Sequence, residues 1–345
     1  MSVMSTDAAA TPPSDPSAAP SDSSAVSSGS SIKAPGSTLG VDQPKPERAV
    51  LVMIHRVLDE GPGASDTELT KLPRFTVVPE DHPQLRATDL GLTRGDGVFE
   101  TIGVFDGVPM NLGPHLKRLA HSAQMLDLGH IDQGLIAEAA TAGIDAHDPV
   151  AELTVRVVLT RGVEGDGHPT GWVHARTAAD YGPEREGIDV VCLDRGLSST
   201  VASTSPWLLA GAKTISYAVN MAVLREAARR GAQDVLFVSS DGYALEGPTS
   251  TLLVKEGDHL VTTPADAGIL AGTCIRSVFD ALNGQYTCTE ELMSLERVKS
   301  ADAAWLLSSS RLVAPINHLD ETALGRDHGL DTRIFAILSG RGENA

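Results

Sequence analysis

The pattern of apolar and polar positions divides the chain near Ala49. Before it, residues 1–48 are a tract of Ser, Ala and Pro, and the first aromatic residue is Phe75. Such a segment buries too little apolar surface to offset its ordering entropy, so residues 1–48 are expected to form a disordered tail. Beyond it the pattern becomes periodic. Val50–Ile54 is a short apolar run, expected as a strand. Thr101–Phe105 is another, and the Asp106-Gly107 pair is expected to turn the chain into a short strand over Val108–Leu112. Pro114 is expected to open a helix, as proline does at a first helical position, with Leu116, Leu119, Ala123 and Leu126 on one face. Glu152–Thr160 alternates and is rich in Val and Thr, which predicts a strand with Arg156 inside it. Residues 162–187 are rich in Gly, Pro, Asp and Arg and are expected to hold a domain linker near Thr177–Pro183.

The second half repeats this mixture. Strands are expected at Ile188–Cys192, Asp234–Ser239 with a return through Leu245, Ser250–Val254 with His259–Thr263, and finally Ala303–Leu307. Helices are expected over Ser216–Arg230, stopped by Gly231, and over Thr273–Leu282 after Gly272. Strands and helices mix without a strict βαβ rhythm, which predicts an α+β fold rather than a doubly wound sheet. The expected units are the tail 1–48, a smaller domain over 49–176 and a larger one over 177–345. No internal repeat and no G-x-G-x-x-G fingerprint stands out.

Composition narrows the function. The 345 residues carry 27 Lys+Arg against 45 Asp+Glu, a formal charge of −18. That excess argues against nucleic acid as a main partner, because phosphate backbones need concentrated positive charge. No run approaches the roughly 18 apolar residues of a membrane span, and the N-terminus lacks the basic-then-apolar plan of a signal peptide. The three cysteines, Cys192, Cys274 and Cys288, are odd in number and lack a C-x-x-C pair. A disulfide framework and a structural metal are not expected, and a reducing, cytoplasmic setting is.

Four positions suggest chemistry. Lys213 stands among small and apolar residues between a loop and a helix. A desolvated lysine loses its proton more readily and can form a Schiff base with a carbonyl. Glu246 precedes Gly247-Pro248 and the hydroxyls of Thr249, Ser250 and Thr251, an arrangement suited to a cationic ring nitrogen beside an anion site. Gly272-Thr273-Cys274 opens a helix, whose free N–H groups attract anions. Arg118 has a fork that can grip a phosphate. Each position also has a plainer reading: a surface lysine, a solvated strand-end charge, an ordinary helix cap and a solvated helix face.

Taken in order, the segments that carry these residues resemble a known family. They are Arg94-Gly95-Asp96-Gly97-Val98-Phe99-Glu100-Thr101, His115-Leu116-Lys117-Arg118-Leu119 with Ser122-Ala123, Lys213 with the downstream Asn220, and Arg225-Glu226-Ala227 with Gly231-Ala232. Glu246-Gly247-Pro248-Thr249-Ser250-Thr251, Thr263-Pro264, Ile269–Thr273 and Ser308-Ser309-Ser310 ahead of Ala314-Pro315-Ile316 follow. The chain is similar to the class IV, fold type IV family of pyridoxal-phosphate enzymes over about Val50 to Leu319. That family includes branched-chain aminotransferases, D-amino-acid aminotransferases and aminodeoxychorismate lyases.

The resemblance implies a two-domain α+β fold, pyridoxal 5′-phosphate as cofactor, a small-molecule substrate and a homodimer. It implies that Lys213 bears the cofactor and shuttles the proton, and that Glu246 keeps the pyridine nitrogen protonated. It assigns the phosphate to Arg118, Thr273, Cys274 and Ser309, with Thr249 beside them. The family often has Ile-Thr at the helix start, where this chain has Thr273-Cys274 with a weaker thiol donor. Tyr217 stands near a family tyrosine or asparagine, and Arg94, Arg156 and Arg311 are candidates for substrate carboxylates. The Lys213, Glu246 and Ser309 segments look more like lyase members than branched-chain transaminases. The expected activity is conversion of 4-amino-4-deoxychorismate to 4-aminobenzoate and pyruvate, with class IV transamination as the alternative. Lys213→Ala is expected to abolish the visible absorbance of lysine-bound cofactor together with all turnover. Absorption spectra of the purified variant check this, and unaltered absorbance rejects the assignment.

Overall fold

The computed structural model of the chain describes residues 49–59 and 71–341. The expected tail over residues 1–48 lies outside the described residues. Two sheets organise the described chain. The first has six strands: β1 (Val50–Ile54), β2 (Phe75–Val78), β3 (Gly97–Phe105), β4 (Val108–Pro109), β5 (Glu152–Thr160) and β6 (Thr170–Thr177). Their order is β2-β1-β6-β5-β3-β4, and every pair is antiparallel. The helices in this half are α1 (Leu90–Arg94), α2 (Leu112–Met125) and α3 (Gln133–Asp145).

One face of this sheet is a core. Side chains alternate across a strand, so Val98, Ile102 and Val104 of β3 share a face and pack with Leu116, Leu119 and Ala123 of α2 and with Leu135, Ile136 and Ala139 of α3. Phe99, Thr101 and Gly103 take the other face of β3. Glu100 breaks the pattern, because its place in the alternation puts a carboxylate in the core-facing row, where it is 0% exposed.

The second sheet has ten strands: β7 (Ile188–Asp194), β8 (Asp234–Val238), β9 (Tyr243–Ala244), β10 (Thr251–Glu256), β11 (His259–Thr262), β12 (Thr287–Glu290), β13 (Met293–Ser294), β14 (Ala303–Ser308), β15 (Leu312–Leu319) and β16 (Thr322–Ala323). Its path runs β12-β11-β10-β14-β15-β7-β8-β9-β13, with β16 beside β15. Parallel pairs (β15 with β7, β7 with β8, β11 with β12) sit among antiparallel ones. Around it lie α4 (Gly182–Glu186), α5 (Val201–Thr204), α6 (Ala218–Arg229), α7 (Thr273–Leu282), α8 (Leu295–Lys299) and α9 (His328–Ser339). Helices α7 and α9 pack with β10, β11, β14 and β15 around Trp305, whose indole N–H donates to Asp331 at 2.5 Å. The architecture is α+β. Among the described residues no helix is long and apolar enough to cross a membrane.

The structure departs from the sequence expectations in particular places. The stretch 162–187, expected to hold a linker near Thr177–Pro183, contains β6 and α4, with residues 178–181 between them. The alternation in β6 is real, since Val173 and Ala175 are buried, but His174 between them and Arg176 after them make the run read as polar. The expected strand over Val108–Leu112 stops at Pro109, and α2 begins at Leu112 rather than Pro114. Ala303–Leu307 is not the last buried strand, because β15 follows it with Leu312, Val313, Ala314 and Ile316 all buried. Pro315 disguises β15, since a proline cannot donate to a ladder and argues against a central strand. Helix α7 occupies the expected Thr273–Leu282.

The two halves touch where β3 passes the turn between β14 and β15. A Cβ at Gly103 would run into the carbonyl oxygen of Ser309. Only a residue without a side chain lets that turn lie against the sheet. Gly103→Ala is expected to cost about 1–3 kcal/mol of stability through overpacking and to push the Ser309 turn aside. Denaturant melts read the first effect and a weakened cofactor affinity the second. An unchanged melt with unchanged affinity contradicts it.

Candidate active site

Lys213 reaches its place as an added strand-like segment on the edge of β3. The Phe99 N–H donates to the Lys213 carbonyl at 3.0 Å, and the Ile215 N–H donates to the Gly97 carbonyl at 2.9 Å. The buried Ser122 hydroxyl oxygen on α2 accepts the Lys213 N–H at 3.0 Å. The main chain is thus fixed from two elements while the amine points over the Phe99 ring, 4.5 Å from its centroid. Burial pulls the amine down to about 8, with Glu100 opposing and Arg118 assisting. The charges of Glu246 and Arg156 act on it as well. The expected lysine therefore lies among the other expected site residues.

Glu246 follows β9 and faces a different situation. Its carboxylate accepts the Leu270 N–H at 3.2 Å and lies 3.5 Å from Arg195. Burial outweighs these contacts and raises the carboxyl to about 7. A buried carboxylate with one loose guanidinium contact is short of a positive partner. The Tyr217 hydroxyl donates to the Pro248 carbonyl at 2.7 Å, and the Asn220 amide donates to the same oxygen at 2.6 Å. These two side chains at the start of α6 hold the Glu246-Gly247-Pro248 turn. Burial also pushes the Tyr217 phenol up to about 12.

The third part is a cluster of donors where α2, α7 and the β14–β15 turn meet. His115 and Arg118 lie three residues apart on α2, on one helical face. Glu100 accepts from the Arg118 Nε at 2.7 Å, from the Arg118 Nη2 at 2.8 Å and from the His115 Nδ1 at 2.7 Å. Burial alone would raise Glu100, but the Arg118 charge and hydrogen bonds, with His115 behind them, bring it down to about 2. The Arg118 Nη1 donates to the Ala271 carbonyl at 2.8 Å, which ties α2 to the turn before α7. The His115 Nε2 lies 3.1 Å from the Ser309 hydroxyl and 3.4 Å from that of Thr273. The Cys274 thiol stands 3.6 Å from the Ser309 oxygen, and burial keeps it protonated.

The structure brings Arg118, Thr273, Cys274 and Ser309 together as expected. It leaves the Thr249 side chain exposed. Arg311 instead holds a buried ion pair with Asp234 at 2.8 Å, and Arg94 is exposed in the last turn of α1. Arg156 lies 5.4 Å from the Phe99 ring centroid, the ring that Lys213 also faces. Glu100, His115, Ser122 and Arg195 carry parts of the site to which the sequence assigned no role. For Glu100 and His115 the signal was present: a charge in an apolar alternation, and a histidine one helical turn from Arg118.

This set fits a phosphorylated pyridine aldehyde. An amine of lowered proton affinity stands near a carboxylate whose one cation contact is loose, and hydroxyls and a guanidinium gather at a helix start. No group of three or more His, Cys, Asp or Glu able to hold a metal occurs among the described residues.

Comparison with known proteins agrees. The family described as Amino-transferase class IV matches residues 97–319. A bifunctional aminodeoxychorismate lyase / D-amino acid transaminase of Mycobacterium tuberculosis is 40% identical over 256 residues, covering 71% of this chain and 89% of that protein. A fold IV-transaminase from Curtobacterium pusillum, CpuTA1, superposes with a TM-score of 0.79 at 46% identity, covering 85% of this chain and 100% of that one. An aminotransferase structure from Mycobacterium tuberculosis with alpha-ketoglutarate and PMP bound has a TM-score of 0.74 at 37% identity, covering 77% and 96% of the two chains. The same protein is also known in a PLP-bound form. With Lys213, Glu246 and the donor cluster in one site, the chain belongs to the class IV aminotransferase family, a fold type IV enzyme whose cofactor is pyridoxal 5′-phosphate.

Proposed function

We propose that the enzyme is a lyase that converts 4-amino-4-deoxychorismate to 4-aminobenzoate, a folate precursor, and pyruvate. The observation that carries this reading is a pair of free guanidinium groups. Arg156 on β5 lies opposite His174 on β6, with Arg176 two residues along on the same face. Such diagonal neighbours are roughly 7–8 Å apart. Among the described residues neither arginine has a carboxylate partner. Two unpaired cations on the face that Phe99 and Lys213 share suit a substrate with two carboxylates, which aminodeoxychorismate has. The name of the bifunctional relative includes this lyase activity beside D-amino acid transamination.

Bound in this site, pyridoxal 5′-phosphate supplies an aldehyde that condenses with amines and a ring that draws electrons from the adjoining carbon. Lys213 would hold the aldehyde between turnovers and yield it to the substrate amine. As a free amine it would then take the proton from the amine-bearing carbon. The enolpyruvyl C–O bond breaks, its electron pair leaves with oxygen, and the six-membered ring becomes aromatic. Return of the proton to the departing fragment completes pyruvate. Glu246 would pair with the protonated pyridine nitrogen, supplying the anion that this cation needs and gaining a closer positive partner than Arg195 at 3.5 Å. Arg118, Thr273 and Ser309, with the N–H groups at the start of α7, would hold the phosphate, and a second copy of the chain would complete a homodimer.

A second reading is favoured by the likeness to a transaminase at 46% identity. In transamination Lys213 would remove the same proton and deliver it elsewhere, and the substrate would leave as a 2-oxo acid. The two are separated by products. Purified enzyme with aminodeoxychorismate alone is expected to release 4-aminobenzoate and pyruvate in equal amounts. Arg156→Ala is expected to raise KM at least tenfold. Absence of 4-aminobenzoate, with glutamate formed from a D-amino acid and 2-oxoglutarate, selects the transaminase.

The Glu246 assignment makes a prediction of opposite signs. Its carboxyl rises from the usual 4.5 to about 7 in the folded chain. Between those values the folded state binds more protons than the unfolded one, so this group's contribution falls as pH rises and is lowest above 7. Glu246→Gln is therefore expected to stabilise the cofactor-free protein at pH 8 by on the order of 2 kcal/mol, with the gain vanishing toward pH 4.5. With cofactor bound the same variant is expected to be less stable than the parent. Melting curves at both pH values, with and without cofactor, check this. A loss at pH 8 without cofactor contradicts it.

A further inference from the structure

The hydrogen-bond chain Glu100–His115–Ser309/Thr273 can be counted proton by proton. Glu100 is ionised, so it accepts at both oxygens and has no proton to give. The His115 Nδ1, 2.7 Å away, must therefore carry a hydrogen. The other ring nitrogen, Nε2, faces the Ser309 and Thr273 hydroxyls, and those oxygens are 3.5 Å from each other. Each hydroxyl has a single proton. If Nε2 is bare, it accepts one of the two, and that hydroxyl can no longer donate to an anion. If Nε2 bears a hydrogen, it donates to a hydroxyl oxygen, and both hydroxyl protons are free.

The charges that face His115 come from several elements. Glu100 on β3 favours the imidazolium, while Arg118 on its own helix and Lys213 on the β3 edge oppose it. Cys274 at the start of α7 is held neutral by burial. Burial itself, the largest influence, holds His115 below the ordinary histidine value. The neutral ring is thus favoured while the hydroxyls face no anion. A phosphate dianion adds two negative charges on the far side of those hydroxyls and reverses the balance.

We infer that phosphate binding at this seat draws a second proton from solvent onto His115, which turns Nε2 from acceptor to donor and frees the Ser309 and Thr273 hydroxyls to point at the anion. Glu100 is the positioning residue that makes this possible, because it fixes the first proton on Nδ1 and holds Arg118 with the same two oxygens. Cofactor affinity then carries a proton dependence that belongs to the protein, beyond the titration of the phosphate itself.

This inference rests on the phosphate assignment made above, and one experiment separates the two. Full-length protein with nitrogen-15 histidine is freed of cofactor and titrated with pH by NMR, first alone, then with inorganic phosphate, then with pyridoxal 5′-phosphate restored. His115→Asn identifies the His115 signals. The expected result is that both phosphate compounds raise the His115 midpoint by at least one pH unit, with Nε2 changing from acceptor to protonated nitrogen. Phosphate binding is followed independently by phosphorus-31 signals. Binding that Ser309→Ala and Thr273→Ala weaken, while the parent's His115 midpoint stays put or falls, overturns the proton inference alone. Phosphate binding that leaves this cluster unperturbed overturns the seat and the inference together. Glu100→Gln, which keeps the shape and removes the charge, is expected to abolish the rise. Should that variant fail to fold, the measurement on the parent protein decides.

Discussion

A carboxylate with no exposure must be met by charge and hydrogen bonds, or the fold that buries it is untenable. Glu100 is that constraint. Removing one partner of a buried charge pair costs about 3–5 kcal/mol, so Arg118 and His115 are bound to approach it, and with them α2 is locked in register against β3. The consequences spread from there. Arg118 also grips the Ala271 carbonyl before α7, and His115 reaches Ser309 between β14 and β15. One buried charge on the first sheet thus orders donors contributed by the second. Gly103, three residues along β3, permits the close approach that this arrangement needs.

Lys213 and Glu246 depend on the same enclosure with opposite effects. Desolvation lowers the proton affinity of Lys213 and raises that of Glu246, because in each case it disfavours the charged form. The two groups end near 8 and 7 in the cofactor-free chain. A lysine near 8 can be a free amine at cellular pH, which both bond formation to an aldehyde and proton abstraction require. A carboxyl near 7 has only the Leu270 N–H and the loose Arg195 contact at 3.5 Å to offset its burial. On the proposed assignment, a protonated pyridine nitrogen would supply Glu246 with a closer positive partner.

The arginines proposed to meet the substrate lie on a different surface. The face of the first sheet opposite its core carries Arg156, Arg176 and Phe99, and the Lys213 amine lies over the Phe99 ring. Arg311, equally attractive as a residue type, lies in a buried pair with Asp234. Residue type told nothing about which arginine was free; neighbours decided it.

What the sequence alone determined was local and ordered. Lys213, Glu246, Arg118 and the Thr273 helix start were legible because each lies in a segment whose pattern is carried by adjacent residues, and α7 was bounded by its own glycine and apolar periodicity. The α+β mixture was legible for the same reason. Strands β6 and β15 were not, because their membership in a sheet comes from partners far along the chain that override His174, Arg176 and Pro315. The role of Glu100 was equally hidden. A carboxylate in an apolar alternation is an anomaly until the tertiary structure supplies a guanidinium and an imidazole from α2. Burial, and with it every shifted proton affinity in the site, arises only when segments distant in sequence exclude water together, and that is a property of the packed structure.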